Sequence, residues 1–160
     1  MIQANTQSTI KAYLSTEDNR INTSLTSAHI RHLVKFINDL DGSVSYSYPT
    51  EVIKDRFTKM TFGYAATTPD LFLGEVNLLP SGSWKYEVYE VSWIGTATLT
   101  DGNAPVTEND VLTPIGDEKG VVQGLVTKGK MNLTDIKGSG QVQYNQHETA
   151  AGTNTIYYGQ

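Results

Sequence analysis

Three histidines are the residues best suited to metal or proton chemistry, and two of them, His29 and His32, stand three positions apart. On a helix that spacing would put both imidazoles on one face. Zinc needs further protein ligands, however, and none accompanies the pair, because Asp39 and Asp41 lie beyond an apolar run. Exposed histidines that hold no metal are the expectation. Asn38-Asp39-Leu40-Asp41-Gly42 has the carboxylates of a calcium loop, yet no Glu follows at the distance an EF-hand requires. A tight turn explains the same residues, since Asn, Asp and Gly tolerate positive φ.

Nucleophile chemistry has no better footing. Cysteine is absent, which removes thiolate metal sites, cysteine nucleophiles and disulfides together. No Gly-x-Ser-x-Gly occurs, and Gly138-Ser139-Gly140 suits a turn. Neither a Walker loop nor a Gly-x-Gly-x-x-Gly between strand and helix is present. Carboxylate pairs leave no spacing signature, because they assemble in space. A non-enzyme without cofactor or metal is therefore expected. The aromatic residues remain: Tyr46, Tyr48, Tyr86, Tyr89, Trp93, Tyr144, Tyr157 and Tyr158 could form a sugar- or protein-binding platform, or serve as ordinary cross-strand pairs.

The elements that would position these residues are strands. Gly82 to Trp93 is the densest aromatic run and holds both tryptophans; Trp84, Tyr86 and Val88 alternate with Lys85 and Glu87, the period of a strand with one buried face. Its even positions read as core, leaving Tyr89 and Trp93 for an interface. Ser27 to Leu40 carries two patterns. Ile30, Leu33, Val34, Ile37 and Leu40 have helical spacing, while the β-branched and aromatic content, the Asn-Asp turn and the alternating Val44 to Tyr48 read as strand, turn, strand. The hairpin is the expectation adopted.

Asp55 to Phe62 and Leu71 to Leu79 read as further strands, with Glu51 to Ile53 a connection. The turn Pro80-Ser81-Gly82-Ser83 would make Glu75 to Val91 a second hairpin. Gly95 to Gly120, punctuated by Gly, Asn, Asp and Pro, reads as a long functional excursion with one short strand at Thr96 to Leu99. Val121 to Thr127 and Met131 to Thr134 read as two strands around a Lys128-Gly129-Lys130 turn, and Gln141 to Tyr158 as a third hairpin.

At 160 residues the chain fits one domain. Residues 1–26 are polar and weakly periodic, and are expected to form an extended arm that grips a neighbour through Ile10, Tyr13 and Leu14, with the domain proper at 27–160. The net charge of −5, with 12 scattered basic residues, argues against nucleic acid as partner. No secretory leader is expected at Met1 to Leu14, and no apolar run reaches the roughly 18 to 20 residues that span a bilayer. The glycosylation-like triplets at Asn22 and Asn132 are taken as chance.

Leu33 to Gly42, Asp55-Arg56-Phe57, Gly74 to Glu90 with its Trp-x-Tyr-x-Val-Tyr-Glu strand, and the Gly-bearing strand near Gly124 to Leu133 together resemble small virion structural proteins of tailed bacteriophages. The likeness spans roughly Leu33 to Tyr144 and is strongest to auxiliary capsid, or decoration, proteins, including those of crAss-like phages of Bacteroides. It implies an all-β, antiparallel immunoglobulin-like β-sandwich, made in the host cytoplasm and bound in many copies to the capsid. The implied partners are the major capsid protein and neighbouring virion proteins, with self-association left open and no membrane. No catalytic position is implied. Alternatives are a head-fibre base, neck or tail component, or a carbohydrate-binding module using exposed Tyr and Trp.

Overall fold

The computed structural model of the chain describes residues 1–112 and 118–137. Among the described residues nine strands carry nearly all regular structure: β1 (Ile2–Asn5), β2 (Ile10–Leu14), β3 (Ile30–Asn38), β4 (Val44–Ser47), β5 (Thr50–Ile53), β6 (Thr58–Tyr64), β7 (Glu75–Val76), β8 (Gly82–Ser92) and β9 (Val121–Thr134). The only helical pieces among them are 3-10 turns at Glu17–Asn19 and Ser27–His29, so the protein is all-β. Among the described residues no helix is long and apolar enough to cross a membrane.

Two sheets form. One has the order β1-β9-β8-β3-β4; the other has the order β2-β6-β5, with β7 beside β6. Both are mixed, because β1 runs parallel to β9 and β7 parallel to β6. That corrects the purely antiparallel expectation: β1 does not pair with its sequence neighbour β2, but lies along the last described strand while β2 joins the opposite sheet.

The two inner faces meet in one core. Ile10, Ala12, Leu14, Met60 and Phe62 of the four-stranded sheet pack with Val34, Phe36, Trp84, Tyr86, Val88, Met131 and Leu133 of the five-stranded one. Phe36 and Phe62 meet edge to face across the gap, ring centroids 5.1 Å apart, a favoured geometry for aromatic pairs.

The expected N-terminal arm is therefore corrected. Residues 1–26 supply β1 and β2, and Ile2, Ile10, Ala12 and Leu14 lie in the core. Alternation over only four or five residues, within a polar surrounding, hid both strands. β2 completes the four-stranded sheet by pairing Ile10 to Leu14 with Phe62 to Thr58.

In β3 strand wins over helix because both neighbours are in place, β8 on one side and β4 on the other. Val34 and Phe36 face inward, while Leu33 is buried on the outer face. Burial on both sides makes a near-continuous apolar run, and such a run imitates helical spacing.

Beyond Ser47 the chain leaves the first sheet through Tyr48 and Pro49 and enters the second as β5, so Glu51 to Ile53 is strand and not mere connection. Only Glu75–Val76 of the Leu71 to Leu79 run is strand, and it pairs with β6. The expected second hairpin does not form; β8 instead pairs with β3 and β9.

β9 is one 14-residue strand and not two. Gly129 stands opposite Tyr86, where a Cβ would come 2.5 Å from the Tyr86 hydroxyl, so this glycine makes room for a ring and does not make a turn. Register shifts opposite Val88/Tyr89 and Glu90/Val91 place extra residues on β9, as β-bulges do. The expected third hairpin, 141–158, lies outside the described residues.

Candidate functional site

The outer face of the five-stranded sheet is wet at one end and covered at the other. Leu33, Val91 and Trp93 form a second apolar cluster there with Tyr48 and Ala104, and Tyr46, Tyr89, Leu71, Phe72, Ala97 and Leu99 pack around it. The cover is the Gly95 to Gly120 excursion, whose described residues contain no strand. Its backbone is tied down from beneath by Trp93 Nε1, which donates to Asn103 O at 3.2 Å, and by the Tyr48 hydroxyl, which donates to Pro105 O at 2.7 Å, while Gly120 N at the end of the excursion donates to the same Asn103 carbonyl at 2.8 Å. The described part of the excursion is thus packed onto the sheet at Trp93 and Tyr48.

At the wet end Lys35 reaches Glu108 of the excursion at 2.5 Å, and the Tyr46 hydroxyl donates to the same carboxylate. Burial would push the Glu108 carboxyl up, but the hydrogen bonds from Lys35 and Tyr46 hold it below the usual carboxylate range. Burial and the neighbouring carboxylates Glu108 and Glu87 raise Tyr46 and Tyr89, so both phenols stay protonated donors.

The cover is tight enough to test. A Cβ at Gly120 would stand 2.6 Å from the Trp93 ring and 3.0 Å from Val91. Gly120→Ala is expected to cost about 1–3 kcal/mol, the usual range for overpacking a filled site. Urea unfolding followed by tryptophan fluorescence checks this, and an unchanged midpoint would mean the cover is loose.

Between the sheets lies a buried polar cluster. The Glu51 carboxylate takes two hydrogen bonds from one residue, the His32 backbone N–H at 2.8 Å and the His32 Nδ1 at 3.0 Å. The first exists because β4 pairs with β3 only from Val34 onward, leaving the His32 N–H without a strand partner on that side. Glu90 stands beside His32 in the β3–β8 register and accepts the backbone N–H groups of Ile21 and Asn22 at 2.9 and 2.7 Å. Thr16, just after β2, and Thr58, at the start of β6, share a separate buried hydroxyl contact of 2.6 Å. Burial would lower the His32 pKa, but Glu51, then Glu90 and Glu17, outweigh it and raise the value above that of a free imidazole.

His32 is 2% exposed, contrary to the expectation of exposed histidines, and the His29 ring bonds the Gly95 carbonyl. The two side chains do not converge. Among the described residues no group of three or more His, Cys, Asp or Glu could hold a metal. The His32–Glu51 pair has the form of a catalytic dyad, but with both side chains nearly inaccessible it ties the two sheets together.

The five residues expected at an interface separate into two sets. Ile10 and Leu14 are core, and Trp93 is fully buried under Asn103; all three are corrected from surface to interior. Tyr13 is 60% exposed and Tyr89 half-buried, its hydroxyl donating to Glu87 at 2.7 Å.

Around Tyr13 lies a surface that was not anticipated. In register across the four-stranded sheet, Tyr13 faces Lys59 and Lys59 faces Val52, while Lys11 faces Thr61 and Thr61 faces Thr50. Phe57 stacks its edge on Tyr13 at 5.5 Å. Lys11 and Lys59 share the strand face of Tyr13, Lys54 lies opposite Phe57, and none of the three is within salt-bridge reach of a described carboxylate. Alternation of Lys11, Tyr13 and of Phe57, Lys59 was the available signal; the strand register was needed to join them.

A cleft of about 310 Å³ runs beside β5, lined by Arg31, Tyr48, Thr50, Glu51 and Ile53, and shares Phe72, Leu73 and Leu99 with a wider groove of about 620 Å³. Compared with protein-family models, with curated proteins and with solved structures, the chain matches none.

Proposed function

We propose that this chain is a virion structural protein of the auxiliary, capsid-decorating kind, with an immunoglobulin-like fold, and that it meets the major capsid protein through the outer face of the four-stranded sheet. The observation that carries this reading is the basic, aromatic face of Tyr13, Phe57, Lys11, Lys54 and Lys59 on a chain of net charge −5. Its exposed apolar centre and a cationic rim with no described carboxylate in reach suit a flat, acidic protein surface.

The strand order supports the finer fold. In a variable-type immunoglobulin domain the C, F and G strands share a sheet with C′, and B, E and D form the other. Here the third, eighth and ninth strands share a sheet with the fourth, and the second, sixth and fifth form the other. The Leu33 to Tyr144 resemblance adds the particle context. Many weak copies on a closed shell stabilise it through avidity, so modest affinity at one face suffices.

Trp93 is buried, and the Tyr13–Phe57 pair is edge-to-face at 67° and not a flat stacking platform, so the geometry favours a protein partner over a sugar. The expected result with purified particles is a copy number near that of the major shell protein by gel densitometry. A Lys11→Glu, Lys59→Glu double variant should remain folded and fall away from particles. A dozen copies or fewer would assign the chain to the head-fibre base, neck or tail.

A further inference from the structure

The connection from β2 to β3 crosses the end of the sandwich as a strap that contributes nothing to the core. From Glu17 to His29 none of its residues is buried, although Thr16 before it and Ile30 after it are. Both ends are pinned. Thr16 shares its hydroxyl contact with Thr58, and the His29 carbonyl accepts the Trp93 N–H at 2.9 Å. Among the described residues, the side chain that holds the middle is Glu90: fully buried, it accepts the Ile21 N–H on one carboxylate oxygen and the Asn22 N–H on the other. Ile21 itself is 43% exposed and rests over Gly124, and the Arg20 guanidinium bonds within the strap, to the carbonyls of Asn22 and Leu25. Beside it a cavity of about 270 Å³ is lined by Asn22 and Leu25 of the strap and by Ser92 and Gln123 of the sheet, so there the strap spans open space. A segment with so little buried apolar surface opens locally at far lower cost than the domain unfolds.

The latch is tied to a titrating neighbour. Glu90 stands directly opposite His32 on the inner face, and His32 holds Glu51 on its Nδ1 at 3.0 Å. The strap itself brings Glu17, with Arg20 at 3.7 Å from it. The other elements packed there present uncharged groups, Gly124 and Gln123 of β9 and Thr58 of β6, while Arg31 bonds the Ile30 carbonyl and Lys119 is engaged by Gly102 and Asn103. Protonated, the imidazole is the cation between two buried carboxylates. Neutral, it leaves both anions without one, and a buried charge that loses its partner is costly. Glu51 is fixed in β5, whereas Glu90 gains water as soon as the strap lifts. Burial lowers the His32 pKa, but Glu51, Glu90 and Glu17 outweigh it and raise the value, so by linkage the proton favours the closed arrangement.

We propose that the Glu17 to His29 strap is a pH-gated flap, latched onto Glu90 while His32 is protonated and released from the end of the sandwich when His32 is neutral. The closed form is fully favoured below the free imidazole value of about 6.5 and is lost as pH rises through the raised folded value. Thr16 and His29 are the hinges, and lifting the strap opens His32, Glu90 and Ser92 to water while the two sheets stay paired. The inference stands apart from the particle reading, because the isolated chain suffices to test it.

Arg20 makes the flap readable, since it is the only Lys or Arg between Lys11 and Arg31. Cleavage of a briefly opened segment tracks the population of the open form. The full chain is therefore treated with trypsin at about pH 6 and about pH 8.5, either side of the expected transition. The Arg20–Ile21 cut is timed by mass spectrometry and divided at each pH by the rate for a free peptide of residues 15–26, which removes the enzyme's own pH dependence. The ratio should rise several-fold with pH, while cuts after Arg31 and Lys35 inside β3 stay slow. Glu90→Gln should cut fast at both values and lose the slope. Asn22→Pro, on the strap and away from the core, removes one of the two latch donors; against a peptide with the same change it should cut faster at the lower pH. The proposal is overturned if the ratio of the natural chain is flat with pH, or if the β3 cuts rise in step with it, which would mean that the whole domain opens. It is equally overturned if Asn22→Pro cuts no faster, or if Glu90→Gln keeps the slope.

Discussion

Deleting residues 1–26 should abolish cooperative folding. The segment removes β1 and β2, and with them the buried side chains of Ile2, Ile10, Ala12 and Leu14. Truncating a buried Leu or Ile costs about 2–5 kcal/mol, and three such losses together rival the about 5–15 kcal/mol that holds a typical domain folded. The ladder losses add to this. Without β2 the inner residues Met60 and Phe62 are uncovered along β6, and without β1 the β9 edge at Met131 to Thr134 is bare. Circular dichroism and urea unfolding of the truncated chain check the expectation. A sharp, two-state transition would show that the remaining strands form a core by themselves, and that the first 26 residues are an accessory.

The second large effect is expected at Glu51. Glu51→Ala removes the acceptor of both His32 hydrogen bonds and leaves a buried imidazole and a buried backbone N–H without partners. Breaking one side of a buried pair costs about 3–5 kcal/mol. Glu51→Gln is the informative companion, since an amide oxygen can still accept the His32 N–H while the charge is gone. The sign of the pH effect follows from the raised His32 pKa. Protonated His32 contributes stability that is fully present below the unfolded value of about 6.5 and is lost as pH rises through the folded value. Urea midpoints of the natural protein should therefore fall as pH rises above about 6.5, and most of that slope should vanish in Glu51→Gln. A slope that persists in the variant would place its origin elsewhere than at this pair.

The strand with both tryptophans shows how far periodicity reaches. Alternation correctly assigned Trp84, Tyr86 and Val88 to the core and Lys85 to solvent. The same rule left Tyr89 and Trp93 on the open face, and it failed for Trp93, because burial of the outer face is decided by the excursion that folds back over Val91 and Trp93. Nothing local to β8 encodes that cover. The signal lay in Gly120 and in the Pro105 neighbourhood, and it has meaning only once Tyr48 and Trp93 stand below them.

His32 teaches the converse. Its spacing from His29 would give a shared face only on a helix, and the two residues do not share an element: His32 is in β3, whereas His29 ends the 3-10 turn before it. His32 turns inward to Glu51 while His29 stays outside to meet Gly95. Glu51, 19 residues away and read as a connection, could not be linked to it from sequence, because the link is made where the chain changes sheets.

By itself the sequence determined the class of the protein: short alternating segments, turn residues between them, no cysteine, and an acidic composition lead to an all-β domain without a readable catalytic motif. Those are local properties, set by side-chain period and backbone preference. Tertiary structure alone decided that residues 1–26 belong to the core, that the long excursion is a cover, and that Tyr13, Phe57 and their lysines form one face. It also decided that, among the described residues, β5 keeps an open edge beside a cleft. Each of these depends on which distant strands pair and in what register, and a one-residue change of register would move every side chain to the other face.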